Sequence, residues 1–342
     1  MKKLLIYLLF LSAILEVQAQ NESQKAKKYN LTDSIQTIEL VRNFWSANRE
    51  TSYLSGAPLI SSIKDRRIPM REGESRGDYY LFEAFLNFSF PLFYGKKTHR
   101  QLYALEYTGN FRMTLDESKP LTPSSHHIGL SYYRILNKKI RQKKTNELHF
   151  TTLRVQLKHY SNGQAPGFFY VDPNDASNFR NSYLDGDFST NYLNLWLTKG
   201  VYKNHGVLRQ ITFGYRHDIG TDESLFVFSK EQENSYGRHR FSFIYDYHFS
   251  SKTKNRTYEH HFRLQPEYIV GNLKNFRPNL KNDSKKYRFS VKGTYELAPQ
   301  NFYAVGLFVS AYYGRDYINI RYDDIIYSLQ FGITLDLNKF LL

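Results

Sequence analysis

A histidine and a serine stand two residues apart near the end of one alternating segment, His159 and Ser161 in Lys158-His159-Tyr160-Ser161-Asn162-Gly163. Residues two apart on a strand project from the same face, so the imidazole can take the proton of the serine hydroxyl. Asn191, in a later alternating segment, would hold the other imidazole nitrogen if the two strands pair antiparallel. These residue types and spacings predict a Ser/His/Asn triad for nucleophilic catalysis, carried on strands.

A period-two count places all three polar side chains on apolar rows. The row that ends in His159 and Ser161 begins with Leu153, Val155 and Leu157. The row that begins with Asn191 continues through Leu193, Leu195 and Leu197. The other face of the first segment carries Arg154, Gln156, Lys158 and Tyr160. The predicted triad therefore points in the same direction as the apolar side chains.

A turn is a simpler explanation of the same residues. Ser161-Asn162-Gly163 is a good turn sequence, and polar side chains at the end of a strand need no function. Asn178 and Asn181 are alternatives to Asn191, although both precede the Asp185-Gly186 turn and lie off the apolar row.

The elements that would carry the triad are strands. From about residue 79 onward, segments of roughly 10 residues alternate large apolar residues with polar or small ones. Eleven such segments lie near residues 79–90, 100–113, 125–136, 146–161, 190–199, 207–217, 239–249, 258–269, 285–296, 302–312 and 324–337. A single-chain outer-membrane barrel has an even number of strands, so we predict a twelfth around Tyr53 to Ile63. The predicted fold class is all-β, a transmembrane antiparallel β-barrel of about 12 strands.

Charged residues recur on the second face of these segments. Arg288, Lys292 and Glu296, for example, alternate with Phe289 and Tyr295. A barrel accommodates this pattern when the apolar face is turned outward to lipid and the charged face is turned inward.

The composition restricts the class of protein. The chain has 342 residues, no cysteine and 17% aromatic residues, and its mean hydropathy is −0.57. Disulfides and thiolate metal sites are therefore excluded. The chain has 47 Lys and Arg against 32 Asp and Glu, which gives a formal net charge of +15. No long basic tract or nucleic-acid motif accompanies this charge, so we predict anionic lipid or lipopolysaccharide as the partner and no nucleic acid.

The pattern of the N-terminus predicts an export signal. Residues 1–19 contain a cationic start, an apolar run from Leu4 to Leu15 and a small residue, Ala19, before the predicted cleavage site. Residues 20–50 are predicted to be a periplasmic lead-in with a short helix near residues 35–45. Residues 51–342 are predicted to form the barrel.

At the residues of the predicted triad, the chain resembles the outer-membrane phospholipase A family, whose motif is a strand ending in His-x-Ser-Asn-Gly. Looser matches at Phe90-Pro91-Leu92-Phe93-Tyr94-Gly95 and at Tyr312 to Asp323 extend the resemblance from about residue 50 to the C-terminus. The resemblance implies His159 as general base, Ser161 as nucleophile and Asn191 as the residue that orients the histidine. It also implies a barrel in the outer membrane of a Gram-negative-type envelope, with hydrolysis of phospholipid acyl esters (phospholipase A1 or A2 type).

The resemblance further implies calcium and a second subunit. Family members bind Ca²⁺ beside the serine, through a backbone carbonyl after the motif and a hydroxyl shortly before the asparagine. Those positions fall on Gln164 and Asp187, and a carboxylate suits this hard cation. The loop from Gln164 to Asp187 is longer than in the family. It contains Asp172, Asp175, Asp185 and Asp187, which is also ordinary loop composition. Activity would depend on Ca²⁺ and on a homodimer whose second subunit covers the acyl chain.

A catalytically silent barrel, either a small channel or a structural outer-membrane protein, is the alternative function. The outward triad separates the two hypotheses, because a channel has no reason to place His, Ser and Asn on lipid-facing rows.

Overall fold

The computed structural model describes residues 50–62, 80–95, 100–114, 121–141, 147–162, 169–172, 175–181, 187–203, 207–219, 236–254, 256–271, 273, 288–299, 304–319, 322 and 325–336. The predicted signal peptide (residues 1–19), the helix predicted near residues 35–45 and Gln164 lie outside these ranges. The described residues contain no helix with the length and apolar character that a membrane crossing requires.

Fifteen strands lie within the described ranges. They are β1 (Ser52–Gly56), β2 (Leu59–Ser62), β3 (Tyr80–Tyr94), β4 (Gln101–Thr114), β5 (Ser125–Arg141), β6 (Glu147–Ser161), β7 (Phe169–Asp172), β8 (Asp175–Asn181), β9 (Ser189–Lys203), β10 (Val207–Ile219), β11 (His239–Lys252), β12 (Thr257–Val270), β13 (Phe289–Pro299), β14 (Val305–Arg315) and β15 (Ile325–Leu335). Each of the eleven segments predicted beyond residue 79 corresponds to one long strand.

The long strands form a closed antiparallel barrel of twelve. Neighbours in the chain pair with each other from β3 to β6 and from β9 to β15. The barrel closes through β1, which pairs with β3 on one side and with β15 on the other. β1 and β2 pair with successive parts of β15, so together they count as one strand of the barrel. The predicted number of twelve strands is therefore confirmed.

The break between β1 and β2 has a local cause. Ala57 adopts a positive φ of 44°, a conformation that interrupts a strand. Its N–H donates to the Leu81 carbonyl at 2.8 Å, and the next residue, Pro58, has no N–H to donate. The irregular sequence of the predicted twelfth strand therefore corresponds to a kinked strand in two parts.

Apolar side chains cover the outside of the barrel. On β15, Tyr327, Leu329, Phe331 and Ile333 are 40–55% exposed, whereas the alternating Ser328, Gln330 and Thr334 are at most 5% exposed. The outward apolar face predicted from the alternation is confirmed, and its exposed residues form a surface suited to lipid.

Charged networks cross the inside of the barrel. Glu83 accepts hydrogen bonds from Arg112 and Tyr53 at 2.8 Å, and Arg112 also contacts Asp316 at 2.8 Å. These side chains are buried, and pairing offsets the cost of removing their charges from water. A cavity of about 320 Å³ remains between the networks. The predicted polar interior is therefore confirmed.

The stretch between β6 and β9 contains a structure that the sequence pattern does not indicate. β7 and β8 pair with each other in a two-stranded antiparallel sheet that is separate from the barrel. Asn181 lies at the end of this hairpin, paired with Phe169.

The two ends of the barrel differ in the length of their connections. Short connections at residues 142–146 and 204–206 join strands at one end, and the longer ones at residues 162–188 and 220–238 join strands at the other. In outer-membrane barrels the short turns face the periplasm and the long loops face outward. The end of β6 and the start of β9 therefore lie on the extracellular side.

Candidate active site

The three residues of the predicted triad lie on two neighbouring strands. β6 and β9 pair antiparallel, with His159 opposite Asn191 and Ser161 opposite Ser189. Leu157, two residues before His159, is 54% exposed on the outer wall. The alternation of the strand gives His159 and Ser161 the same outward direction. The site therefore lies on the wall that faces lipid, near the extracellular end.

His159 and Asn191 are joined by a hydrogen bond. The imidazole Nδ1 of His159 lies 3.1 Å from the amide oxygen of Asn191. An amide oxygen only accepts hydrogen bonds, so Nδ1 carries the hydrogen, and in the neutral imidazole the lone pair is on Nε2. This is the tautomer that a general base at Nε2 requires.

Ser161 has a histidine on one side and a serine on the other. Its cross-strand neighbour on β5 is His126, and its neighbour on β9 is Ser189. Side chains at directly opposed positions have Cβ atoms about 5 Å apart. Together with His159 and Asn191, these residues form a polar patch of five strand residues that interrupts the apolar wall.

Asn162 holds the end of β6 against the start of β9. Its backbone N–H donates to the Phe188 carbonyl at 3.1 Å, and its side-chain oxygen accepts the Phe188 N–H at 3.0 Å. Phe188 is fully buried. The Ser161-Asn162-Gly163 pattern predicts a turn at Asn162, and in the structure this residue joins the two strands that carry the triad.

The inner face of β6 is fixed by one carboxylate. Glu106 on β4 is 1% exposed and accepts a hydrogen bond from Arg154 at 2.8 Å. Lys158 pairs with the same carboxylate at 2.9 Å, and Gln156 also donates to it. Three inward residues of β6 therefore anchor the strand whose outward residues include His159 and Ser161.

Of the two predicted calcium ligands, Asp187 lies within the described residues. It immediately precedes the buried Phe188. It is also two residues before Ser189 and four before Asn191, which lie on the outer row of β9. Burial raises the pKa of the Asp187 carboxyl above its usual value, and the nearby His159 imidazole opposes this increase. The carboxyl is therefore within electrostatic range of the triad histidine.

A second group of potential metal ligands lies inside the barrel. Asp246, His248 and His261 have ligand atoms within 4.8 Å of one another. The two imidazole rings stack 3.8 Å apart at an interplanar angle of 9°, so their in-plane lone pairs do not converge on one point. Arg263 Nε lies 3.7 Å from the Asp246 carboxylate. We therefore interpret the group as another ion-pair network inside the barrel.

The fold and the site together define a class of protein. A closed barrel with an apolar exterior, a charged interior and long loops at one end is an outer-membrane β-barrel. The localisation predicted from the sequence follows from this architecture.

Comparison with known proteins supports this classification at the level of the fold. No family model matches the chain, and no curated protein matches it. Outer-membrane phospholipase A from Escherichia coli is similar in structure, with 13% identity and a TM-score of 0.51 over 84% of this chain and 92% of that chain. The Salmonella typhi outer-membrane phospholipase, solved as a dimer with bound calcium, has 13% identity and a TM-score of 0.52 over 86% and 96% of the two chains. The predicted resemblance is confirmed for the fold.

Proposed function

We propose that this barrel hydrolyses the acyl esters of phospholipids, as a phospholipase A, and releases fatty acid and lysophospholipid. Ser161 is the nucleophile, His159 is the general base and Asn191 orients the imidazole. The observation that carries the proposal is the hydrogen bond of 3.1 Å between His159 Nδ1 and Asn191 Oδ1 on the lipid-facing wall, two residues from Ser161. A barrel without catalytic function has no need of a base held in this tautomer at that place.

The proposed reaction has two stages. His159 Nε2 removes the proton of the Ser161 hydroxyl while the oxygen attacks the acyl carbonyl. The imidazolium returns that proton to the departing lysolipid oxygen as the ester bond breaks, which leaves an acyl group on Ser161. Water, deprotonated by His159, then releases the fatty acid and restores the serine.

The position of the site on the outer wall suits a lipid substrate. A phospholipid in the membrane reaches the outer wall by lateral diffusion, so its acyl ester meets Ser161 without entering the barrel. Charged networks cross the inside of the barrel, and the proposed reaction takes place entirely on the outer wall. The net charge of +15 favours contact with anionic membrane lipid and lipopolysaccharide.

Calcium is part of the proposal because the donor chemistry of Asp187 fits it. A carboxylate is a hard oxygen ligand of the type that Ca²⁺ selects, and this one lies two residues before β9, within electrostatic range of His159. Gln164 would contribute its backbone carbonyl. When bound, the cation would stabilise negative charge that develops on the substrate carbonyl oxygen.

We further propose that the active form is a homodimer. Exposed apolar side chains lie on the same wall as the triad on three strands, namely Ile128, Leu130, Leu157 and Leu197. One barrel offers only an open wall to an acyl chain, and a second copy seated on this wall would enclose it. Residues 1–19 are proposed to be removed on export, and residues 51–342 to form the catalytic barrel.

Fatty-acid release from mixed phospholipid micelles tests the proposal. Wild-type protein with calcium, the same protein with EDTA, and Ser161→Ala with calcium are compared. Release that requires both Ser161 and calcium supports the whole proposal, and release that requires Ser161 alone removes calcium from it. A folded barrel that releases no fatty acid under any condition would support the silent-barrel alternative.

A further inference from the structure

His126 lies beside the proposed nucleophile and has no part in the proposed triad. It is directly opposite Ser161 across the β5–β6 ladder. Side chains at opposed positions project from the same side of a sheet, so His126 is on the outer wall with Ser161.

The imidazole of His126 is hydrogen-bonded at both nitrogens. Tyr107 Oη lies 2.7 Å from Nδ1, and Ser124 Oγ lies 2.6 Å from Nε2. Gly109 is opposite His126 on β4, and a Cβ atom there would lie 2.7 Å from the Tyr107 hydroxyl. The absence of a side chain at Gly109 therefore leaves room for Tyr107 to reach His126. We refer to Tyr107, His126 and Ser124 as the outer trio.

The direction of the hydrogen bonds leaves one donor at the end of the outer trio. A phenol is a better donor than an aliphatic hydroxyl, so Tyr107 donates to Nδ1 and Nε2–H donates to Ser124. The hydrogen of the Ser124 hydroxyl then points away from His126. If the imidazole is protonated, both nitrogens donate and Ser124 still directs its own hydrogen outward.

Ser124 lies on the aqueous side of Ser161. It is two residues from His126, about 7 Å further toward the long-loop end of the barrel. In a glycerophospholipid bound with its acyl ester at Ser161, the acyl chains run toward the membrane centre. The phosphate is separated from the ester by glycerol carbons and lies on the aqueous side, at the level of Ser124.

We propose that the Ser124 hydroxyl, held and polarised by His126 and Tyr107, donates a hydrogen bond to the phosphate of the substrate. Ser124 is then a specificity residue that favours phospholipids over neutral acylglycerols. This inference rests on the proposed function, because it assumes that the ester is cleaved at Ser161.

The opposite end of the barrel provides a matched control. His260 Nε2 lies 2.7 Å from Ser251 Oγ, and His260 Nδ1 lies 2.7 Å from Tyr295 Oη. The residue types and ring nitrogens are the same as in the outer trio, but β6 is absent from this neighbourhood and Ser161 is at the other end. Tyrosines at both ends also suit the membrane boundary, so a role in anchoring alone would affect both sets equally.

The test compares two substrates that differ in the phosphate headgroup. Phosphatidylglycerol and diacylglycerol with identical acyl chains are presented in the same detergent micelles to the full barrel. Ser124→Ala is expected to lower kcat/KM for phosphatidylglycerol about 10-fold or more, mainly through KM, because a hydrogen bond to a charged group is lost. Hydrolysis of diacylglycerol should be unchanged, Ser124→Thr should keep the preference, and Ser251→Ala should change neither substrate.

Equal losses on both substrates, no loss at all, or the same loss in Ser251→Ala would overturn the inference. A second measurement removes the dependence on turnover. Binding of a fluorescent phosphatidylglycerol to Ser161→Ala is compared with binding to Ser161→Ala carrying Ser124→Ala, and the double variant should bind about 10-fold more weakly. Activity that persists in Ser161→Ala would instead refute the proposed function, independently of Ser124.

Discussion

Asn191 lies directly opposite His159 across the β6–β9 ladder, and its amide oxygen accepts the hydrogen bond from the imidazole Nδ1 at 3.1 Å. Both residues are on the outer wall, in rows that are otherwise apolar. The pairing sets the tautomer of the proposed base before any substrate arrives.

Replacement of Asn191 should weaken catalysis without unfolding the barrel. In Asn191→Ala the imidazole loses the partner that fixes its tautomer, and the rate of fatty-acid release should fall about 10- to 100-fold. Asn191→Asp should keep most of the activity, because a carboxylate accepts the same hydrogen bond. The rates are measured on phospholipid micelles at saturating calcium.

Asn194 supplies the control for Asn191. It is on the same strand but faces inward, where its amide nitrogen donates to Gln156 at 3.3 Å. Asn194→Ala should leave the turnover of the folded protein unchanged. Equal activity in Asn191→Ala and wild type would contradict the proposed role of Asn191.

Removal of the Glu106 carboxylate should destabilise the barrel. Glu106→Ala leaves the Arg154 and Lys158 charges inside the barrel without their shared partner. Breaking a buried ion pair in this way costs about 3–5 kcal/mol, and the midpoint of urea unfolding in micelles should fall accordingly. Glu259→Ala, at an exposed position, should change the midpoint little. Similar midpoints for the two variants would show that the Glu106 network contributes little to stability.

Calcium binding at Asp187 should depend on pH in a defined direction. Burial raises the pKa of Asp187, so this carboxyl takes up a proton at a higher pH than an ordinary Asp, and the proton competes with Ca²⁺ for the same oxygens. As the pH falls, calcium affinity should therefore weaken earlier than at a carboxylate with an unshifted pKa. Calorimetric titration of the Ser161→Ala barrel with calcium measures the affinity without turnover.

Two further variants define the contribution of Asp187 to calcium binding. Asp187→Asn should bind calcium weakly and lose the pH dependence. Asp336→Asn, just after β15 at the opposite end of the barrel, should bind it normally. Unchanged affinity in Asp187→Asn would exclude this residue as a ligand.

Dimer formation should use the wall that carries the triad. The chain has no cysteine, so a single introduced cysteine reports contact with its copy in a second subunit. Leu157→Cys, on β6, should form disulfide-linked dimers under oxidation in the presence of calcium and substrate analogue. Leu307→Cys, on the opposite side of the barrel and similarly exposed at 59% against 54% for Leu157, should remain monomeric. Cross-linking at both positions, or at Leu307→Cys alone, would contradict the proposed interface.

The sequence by itself determines the strands and the direction of their side chains. Alternation is a local property with a period of two, and it is enough to place Leu157, His159 and Ser161 on one face and Lys158 on the other. Apolar and charged residues on opposite faces then indicate a barrel with lipid outside. The even number of strands in such barrels predicts the twelfth strand, although Ala57 and Pro58 interrupt its alternation.

The tertiary structure decides which side chains meet. The register between strands depends on how twelve strands close, and that is a property of the whole ring. It places Asn191 opposite His159 while Asn181 lies in the β7–β8 hairpin. It also places His126 beside Ser161, and it brings Glu106 to β6 from a strand two positions away. No single segment encodes these neighbours, because each pair depends on the register between separate strands.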